Sequence, residues 1–412
     1  MMSSQAERAN PSNRSRLIVL SAALIACMWN AAPASSQTVG VTPTSIKIGG
    51  TFPFSGPASA FGNTGKGLIA YINQINDRGG INKRKIEYIA LDDGYSPPKA
   101  VEQTRKLVEQ DEVAFIFGPL GTASNAATIK YLNSKQIPDG FIMTGAARFT
   151  AANEFPYTTT ALPSYFTEAQ IYAKFIRTTK PNAKVGVLFQ NDDLGKDLVA
   201  GLKLGMGDAV GNVVALAYEV ADPTVDSQVL NLRNAGVEVL FVAATPKFAA
   251  QAIRKTAELG WKPLQIINLV SSSISATLKP AGVENAIGVV SSAFYKDMGD
   301  PRWKDDAGVK NYLAFGEKYL PGADHSDINY VTGYNQGMIL EKVLEQCGDD
   351  LSRENINKQI HNISKFALPM VLPGITVTTS VTNNSAFTQL QLQKWTGAKW
   401  ELFGDVISAD AR

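Results

Sequence analysis

Histidine and cysteine are nearly absent from this chain. It holds two of each in 412 residues: His325 and His361, Cys27 and Cys347. So few imidazoles and thiols form no ligand spacing for zinc or a related metal. Both histidines sit in polar stretches and are expected to be solvated rather than catalytic. No G-x-S-x-G nucleophile elbow occurs. The segment Gly62-Asn63-Thr64-Gly65-Lys66-Gly67 lacks the spacing and the closing Ser/Thr of a phosphate-binding loop, and it is expected to be a glycine-rich turn. Beyond residue 28 there is no run of 18 apolar residues, the length a membrane-spanning helix needs. No catalytic constellation, metal or cofactor is implied.

Net charge is also scarce. The N-terminus has a basic start (Arg8, Arg14, Arg16), an apolar core over Leu17–Met28 and the small-residue pattern Ala32-Pro33-Ala34. These are the parts of a secretory signal peptide, expected over residues 1–34, and they imply a periplasmic protein. Leu24-Ile25-Ala26-Cys27 also looks like a lipobox, which would anchor the chain through Cys27, but the freely soluble form is favoured. Removing the leader's three Arg and one Glu from 39 basic and 37 acidic residues leaves 36 of each. A neutral mature chain carries no electrostatic footprint for nucleic acid. Without Cys27 only Cys347 remains, so no internal disulfide can form.

What the chain does have is alternation. Short apolar strands recur at Ile46–Gly50, Lys85–Leu91, Val113–Phe117 and Pro138–Met143, with helical patterns at Gly65–Asn76, Pro98–Gln110 and Ala123–Lys135 between them. Asn153–Ser164 reads as a crossover. A second series follows, with strands at Lys184–Phe189, Val213–Tyr218, Val237–Ala243 and Leu264–Leu269. Helical patterns at Trp303–Tyr319 and Asn329–Gln346 and a β-like tail over Gly374–Phe403 complete the chain. Repeated β-α-β is the signature of doubly wound parallel sheets. Two similar α/β units in tandem are expected. Asp92-Asp93 and Asp192-Asp193 fall at strand ends and are expected to be solvated turn residues and caps.

The stretch from Val113 to Asn125 (VAFIFGPLGTASN) gives a buried strand, a glycine turn and a helix N-terminus, with Thr122 or Ser124 as the expected N-cap. Such a terminus presents free N–H groups and partial positive charge, which suits an anion. It lies where ligands bind in open α/β sheets, beyond the carboxyl ends of the strands. A secreted, neutral, two-unit protein without catalytic groups is best explained as a binding protein with its ligand between the units.

Several phrases carry a family resemblance: Ile46–Pro57 (IKIGGTFPFSGP), Ile72-Asn73 with Gly79-Gly80-Ile81-Asn82, Leu91-Asp92-Asp93, Phe117-Gly118-Pro119, Gln190–Asp193 with Gly195, and Leu259-Gly260-Trp261. Together they resemble type I periplasmic solute-binding proteins of the branched-chain amino acid (leucine-binding protein) class of ABC importers. The resemblance implies two Rossmann-like lobes joined by a three-crossover hinge, one over 45–162 plus 291–373 and the other over 163–290 plus 374–412. It implies hinge closure on a small-molecule ligand, presentation to an ABC permease with its cytoplasmic ATPase, and a monomer.

The resemblance also implies a site. Thr122, with Ala123 and Ser124, would hold a ligand carboxylate, and Ala146 would add backbone groups. Arg148 stands where a Thr is usual and could grip a carboxylate or point to solvent. Leu194 replaces a usual aromatic, Thr245 occupies a second contact position, and Phe54 and Phe61 would be apolar walls. The acid that holds an α-ammonium is expected near Asn268-Leu269-Val270-Ser271, where no Asp or Glu stands. A small organic or aromatic acid is therefore the preferred ligand. A hydrophobic amino acid, with Asp193 or another acid as partner, is the rival. A ligand-sensing regulatory module is the reading from another class, with a secreted enzyme behind it.

Overall fold

The computed structural model describes Met1 and residues 38–408. The expected leader, Cys27 included, lies outside the described residues.

The first half alternates as its periodicity predicts. β1 (Ser45–Phe52) leads to α1 (Gly62–Asp77), β2 (Lys85–Asp92), α2 (Pro97–Glu109), β3 (Phe115–Phe117), α3 (Thr122–Ser134), β4 (Asp139–Ile142) and β5 (Thr158–Thr160). These strands form one parallel sheet in the order β2-β1-β3-β4-β5. β5 falls inside the stretch expected to be only a crossover. Three threonines carry no apolar signal, yet all three are buried at the sheet's edge, paired with β4 through Asp139 and Ile142.

The second series is α4 (Tyr165–Thr179), β6 (Val185–Gln190), α5 (Asp193–Met206), β7 (Val213–Tyr218), α6 (Asp226–Asn234), β8 (Val239–Ala243), α7 (Pro246–Glu258), β9 (Leu264–Ile267) and β10 (Val290–Ala293). β11 (Gln389–Trp395) and β12 (Trp400–Ser408) are antiparallel additions, giving the order β12-β11-β10-β9-β8-β6-β7. Caps punctuate this half: Asp192 accepts from the Gly195 N–H, and Pro246 opens α7.

α8 (Ala307–Tyr319), α9 (Ile328–Cys347) and α10 (Arg353–Ile360) lie between β10 and β11. α9 is buried around most of its girth, as a core helix must be. It packs on α1 through glycines. A Cβ added at Gly67 would come within 2.7 Å of the Tyr330 carbonyl oxygen, and one at Gly333 would overlap the Thr64 carbonyl. The Gly62–Gly67 stretch is therefore the start of a helix, not the expected turn. Its glycines serve close helix approach.

The chain crosses between lobes after β5, after β10 and before β11. The crossings are knitted together. Thr160 N–H donates to Asn384 O at 2.7 Å, Ala386 N–H donates to Thr160 O at 3.1 Å, and the Phe294 and Phe387 rings lie 4.9 Å apart. Within residues 374–388, Val377 bridges to Phe366 and Ser385 to Thr160 of β5. The second sheet resumes only at Gln389.

Candidate functional site

The turn after β3 is built for a close approach. Gly121 has φ +123°, a conformation that favours glycine, and a Cβ there would sit 3.1 Å from the Tyr95 ring. Asn125 staples the turn by donating to Pro119 O (3.1 Å) and Gly121 O (2.8 Å). The N-cap is Gly121 rather than Thr122 or Ser124. The side chains expected to cap are used elsewhere: Thr122 Oγ1 lies 2.9 Å from Thr144 Oγ1, and Ser124 is turned toward Asp93. The first N–H groups of α3 thus keep no capping side chain.

Thr122 faces a cavity of about 620 Å³, open solvent at its mouth included. The first lobe contributes Phe61, Thr64, Tyr95, Leu120 and Met143; the second contributes Tyr165, Leu194, Leu269, Val270 and Ser272. Phe294 and Tyr295, on the second crossing, and Ile328, Asn329 and Thr332 of α9 complete the wall. No Asp, Glu, Lys, Arg or His is among these lining residues. The Tyr165 side chain lies beside the Thr122 and Thr144 hydroxyls, and burial pushes its pKa up to about 12, so it stays a neutral donor.

Of the residues named from sequence, Phe61, Thr122 and Leu194 line the cavity. Ala123 and Ser124 stand behind Thr122 in the first turn of α3. Ala146 is buried, its N–H donating to Thr144 Oγ1 at 3.2 Å. Phe54 packs on Phe52 with ring centroids 5.7 Å apart. Thr245 caps α7 without a side-chain cap bond and joins Gln190 and Tyr218 in a buried hydroxyl–amide cluster. Asn268 Oδ1 accepts from the Ala244 N–H at 3.1 Å.

Arg148 takes a third course. It neither lines the cavity nor points free into solvent, but pairs with Asp193 at 2.6 Å across the cleft. Nearby, the Ala147 N–H donates to Asp197 Oδ2 at 2.7 Å. At another place on the rim, Ser273 Oγ donates to Asp327 Oδ1 at 3.2 Å and Lys279 pairs with Asp324 at 3.0 Å. These contacts join the two lobes, so the cleft is closed.

Sequence reading missed Tyr95, Tyr165, Phe294 and Tyr295, which lie outside the motif phrases. It also missed an acid at the Asn268–Ser271 loop. Glu168, about a hundred residues upstream, accepts from the Leu269 N–H (2.5 Å) and the Tyr172 hydroxyl (2.7 Å). Burial pushes its carboxyl up to about 7, and it lies behind the wall rather than in it. The aspartate pair at β2 is likewise less solvated than expected. Asp92 binds Ser55 and Lys99 near the surface, but Asp93 is fully buried and burial raises its pKa to about 6. His325 and His361 hydrogen-bond the Leu320 and Asn357 carbonyls instead of water-facing partners.

A two-lobed α/β molecule with a closed apolar cleft at its strand ends defines a solute-binding protein. The chain belongs to the periplasmic binding protein family, whose model matches residues 45–399. Members of this family bind transport substrates outside the cytoplasm and are not enzymes. A Leu/Ile/Val-binding protein homolog from Brucella melitensis is 26% identical over 331 residues, covering 76% of this chain and 79% of that one. Among solved structures, a branched-chain amino acid ABC transporter protein from Thermus thermophilus with bound valine has a TM-score of 0.78 at 15% identity, covering 90% and 97% of the two chains. An ABC-transporter solute-binding protein from R. palustris in complex with benzoate has a TM-score of 0.75 at 19% identity, covering 89% and 98%. No helix among the described residues is long and apolar enough to cross a membrane.

Proposed function

We propose that this chain is the substrate-binding component of an ABC importer and that it closes around a small carboxylic acid lacking an amino group, an aromatic acid foremost. The observation that carries this reading is the cavity wall: apolar rings and aliphatic side chains, a few neutral hydroxyls and an amide, and no Asp, Glu, Lys, Arg or His. A buried ammonium without a carboxylate partner is costly. Asp193, the acid named for that role, is held by Arg148, and Glu168 stands behind the wall.

A carboxylate has a seat. The open N-terminus of α3 offers N–H groups and partial positive charge, with the Thr122 hydroxyl in front and Tyr165 from the other lobe as a donor. The ligand touches both lobes, as it must if binding is to favour the closed form. The same fold holds benzoate in one structure and valine in another, and the missing acid favours the former kind of ligand here. Release to a permease driven by its cytoplasmic ATPase, by a monomeric receptor in the periplasm, completes the proposal.

The test is thermal unfolding of the purified protein against aromatic acids, aliphatic acids and hydrophobic amino acids. A ligand at a hundred times its Kd adds about 2.7 kcal/mol. Stabilisation by benzoate-like acids, with none by valine or leucine, is expected. Stabilisation by the amino acids alone would overturn the reading.

A further inference from the structure

A second cavity lies beside the first. It measures about 420 Å³, open solvent at its mouth included, and Leu269, Ser272, Phe294, Tyr295 and Ile328 line both. Both lobes contribute to this shared wall, Ile328 from the start of α9 and Leu269 and Ser272 from the loop after β9. The two spaces lie side by side and share this wall. They meet at Phe294 and Tyr295, whose ring centroids are 3.9 Å apart.

The second chamber is predominantly apolar. Ile274, Ala293, Met298 and Trp400 form its far walls. Trp400 is fixed, its indole N–H donating to Ser272 O at 2.9 Å. Asp297 also borders the chamber, but its carboxylate is engaged by the Gly299 N–H (2.9 Å) and the Trp400 N–H (3.2 Å). A carboxylate so occupied does not make the chamber a cation site. The Ser273–Asp327 bond closes the seam between the lobes close by.

We propose that the second chamber is a tail subsite and that the ligand is an elongated carboxylic acid. Its carboxylate sits at Thr122, its body fills the first chamber, and its apolar tail passes Phe294 and Tyr295 to lie against Ile274, Met298 and Trp400. This rests on the carboxylate reading above and narrows it. Each methylene moved from water onto such a wall tightens binding about fourfold.

Calorimetric titration of the purified protein with benzoate, 3-phenylpropionate, 4-phenylbutyrate and 6-phenylhexanoate tests it. Affinity is expected to rise about fourfold per methylene over the first additions. Met298→Trp fills the chamber from a half-buried position. It is expected to abolish that gain and leave benzoate affinity within twofold. Ile274→Phe is an independent second variant, and the wild-type series needs neither. Affinity that stays flat or falls with length overturns the subsite while benzoate binding upholds the carboxylate reading. Equal weakening of short and long acids by both variants also overturns it. Binding of none of the acids removes the carboxylate reading and the subsite with it.

Discussion

Arg148 Nη1 stands 2.6 Å from Asp193 Oδ2, joining the turn after β4 in one lobe to the first residue of α5 in the other. Both side chains are about two-fifths exposed, so the pair is a rim clasp. Exposed pairs contribute about 0.2–1 kcal/mol. Arg148→Ala is therefore expected to weaken every ligand alike, roughly two- to fivefold, and Asp193→Ala to do the same. The double variant should add little to either. High salt should shrink the effect. Calorimetry at two salt concentrations checks this. A larger loss confined to acids would place Arg148 on the ligand instead.

Among the described residues named from sequence, Thr122 carries the hydroxyl that both lines the cavity and adjoins an open helix N-terminus. Thr122→Val keeps the shape and removes the hydroxyl. A hydrogen bond to a charged group contributes about 1.5–3 kcal/mol, so acid affinity should fall roughly 10- to 100-fold. Thr332→Val, elsewhere on the wall, serves as the control and should change it much less. Fluorescence or calorimetric titration reads both.

Asp139 is fully buried in β4, neither carboxyl oxygen has a hydrogen-bond partner, and burial pushes its pKa to about 8. The folded state therefore holds this proton after the unfolded chain has lost it. Its contribution to stability is full below about pH 4 and is lost as pH rises toward 8, at about 1.4 kcal/mol per unit. Asp139→Asn removes the ionisation. It should raise the melting temperature at pH 7, by an amount corresponding to several kcal/mol on this scale, and flatten the decline between pH 4 and 8. Glu168, raised to about 7, adds to the same decline with the same sign. A melting series from pH 4 to 9 on both proteins decides it.

Gly333 meets the Thr64 carbonyl and the Leu68 N–H where α9 crosses α1. Gly333→Val leaves no room at that crossing and should cost roughly 1–3 kcal/mol or more. Gly348→Ala, which meets nothing but has φ +59°, should cost less than Gly333→Val. Urea unfolding midpoints separate the two.

The strands with apolar runs were legible in the sequence to within a residue or two, because burial on both faces writes itself in composition. β5 was not, since Thr158–Thr160 is buried by its neighbours rather than by its own hydrophobicity. The helix of Gly62–Gly67 was misread because glycine signals turns until the partner helix is known. At the site, Thr122 could be found from its place after a strand end, while Phe61 and Leu194 came from the family resemblance. Tyr165, Phe294 and Tyr295 could not, because they enter from crossings whose path depends on the tertiary fold. Arg148 stands out as a departure from the Thr usual in the family, but its partner lies 45 residues on in the other lobe.

Phe294 and Tyr295 belong at once to the pivot and to the pocket. Phe294 rests on Phe387 of a neighbouring crossing, and both residues line the cleft. Swapping either to suit a new cargo would also retune how the molecule swings. Phe61, Met143 and Leu194 carry no such double duty in the crossings. Divergence in taste within this scaffold should therefore be concentrated on the walls away from the axis, while the axis itself stays fixed.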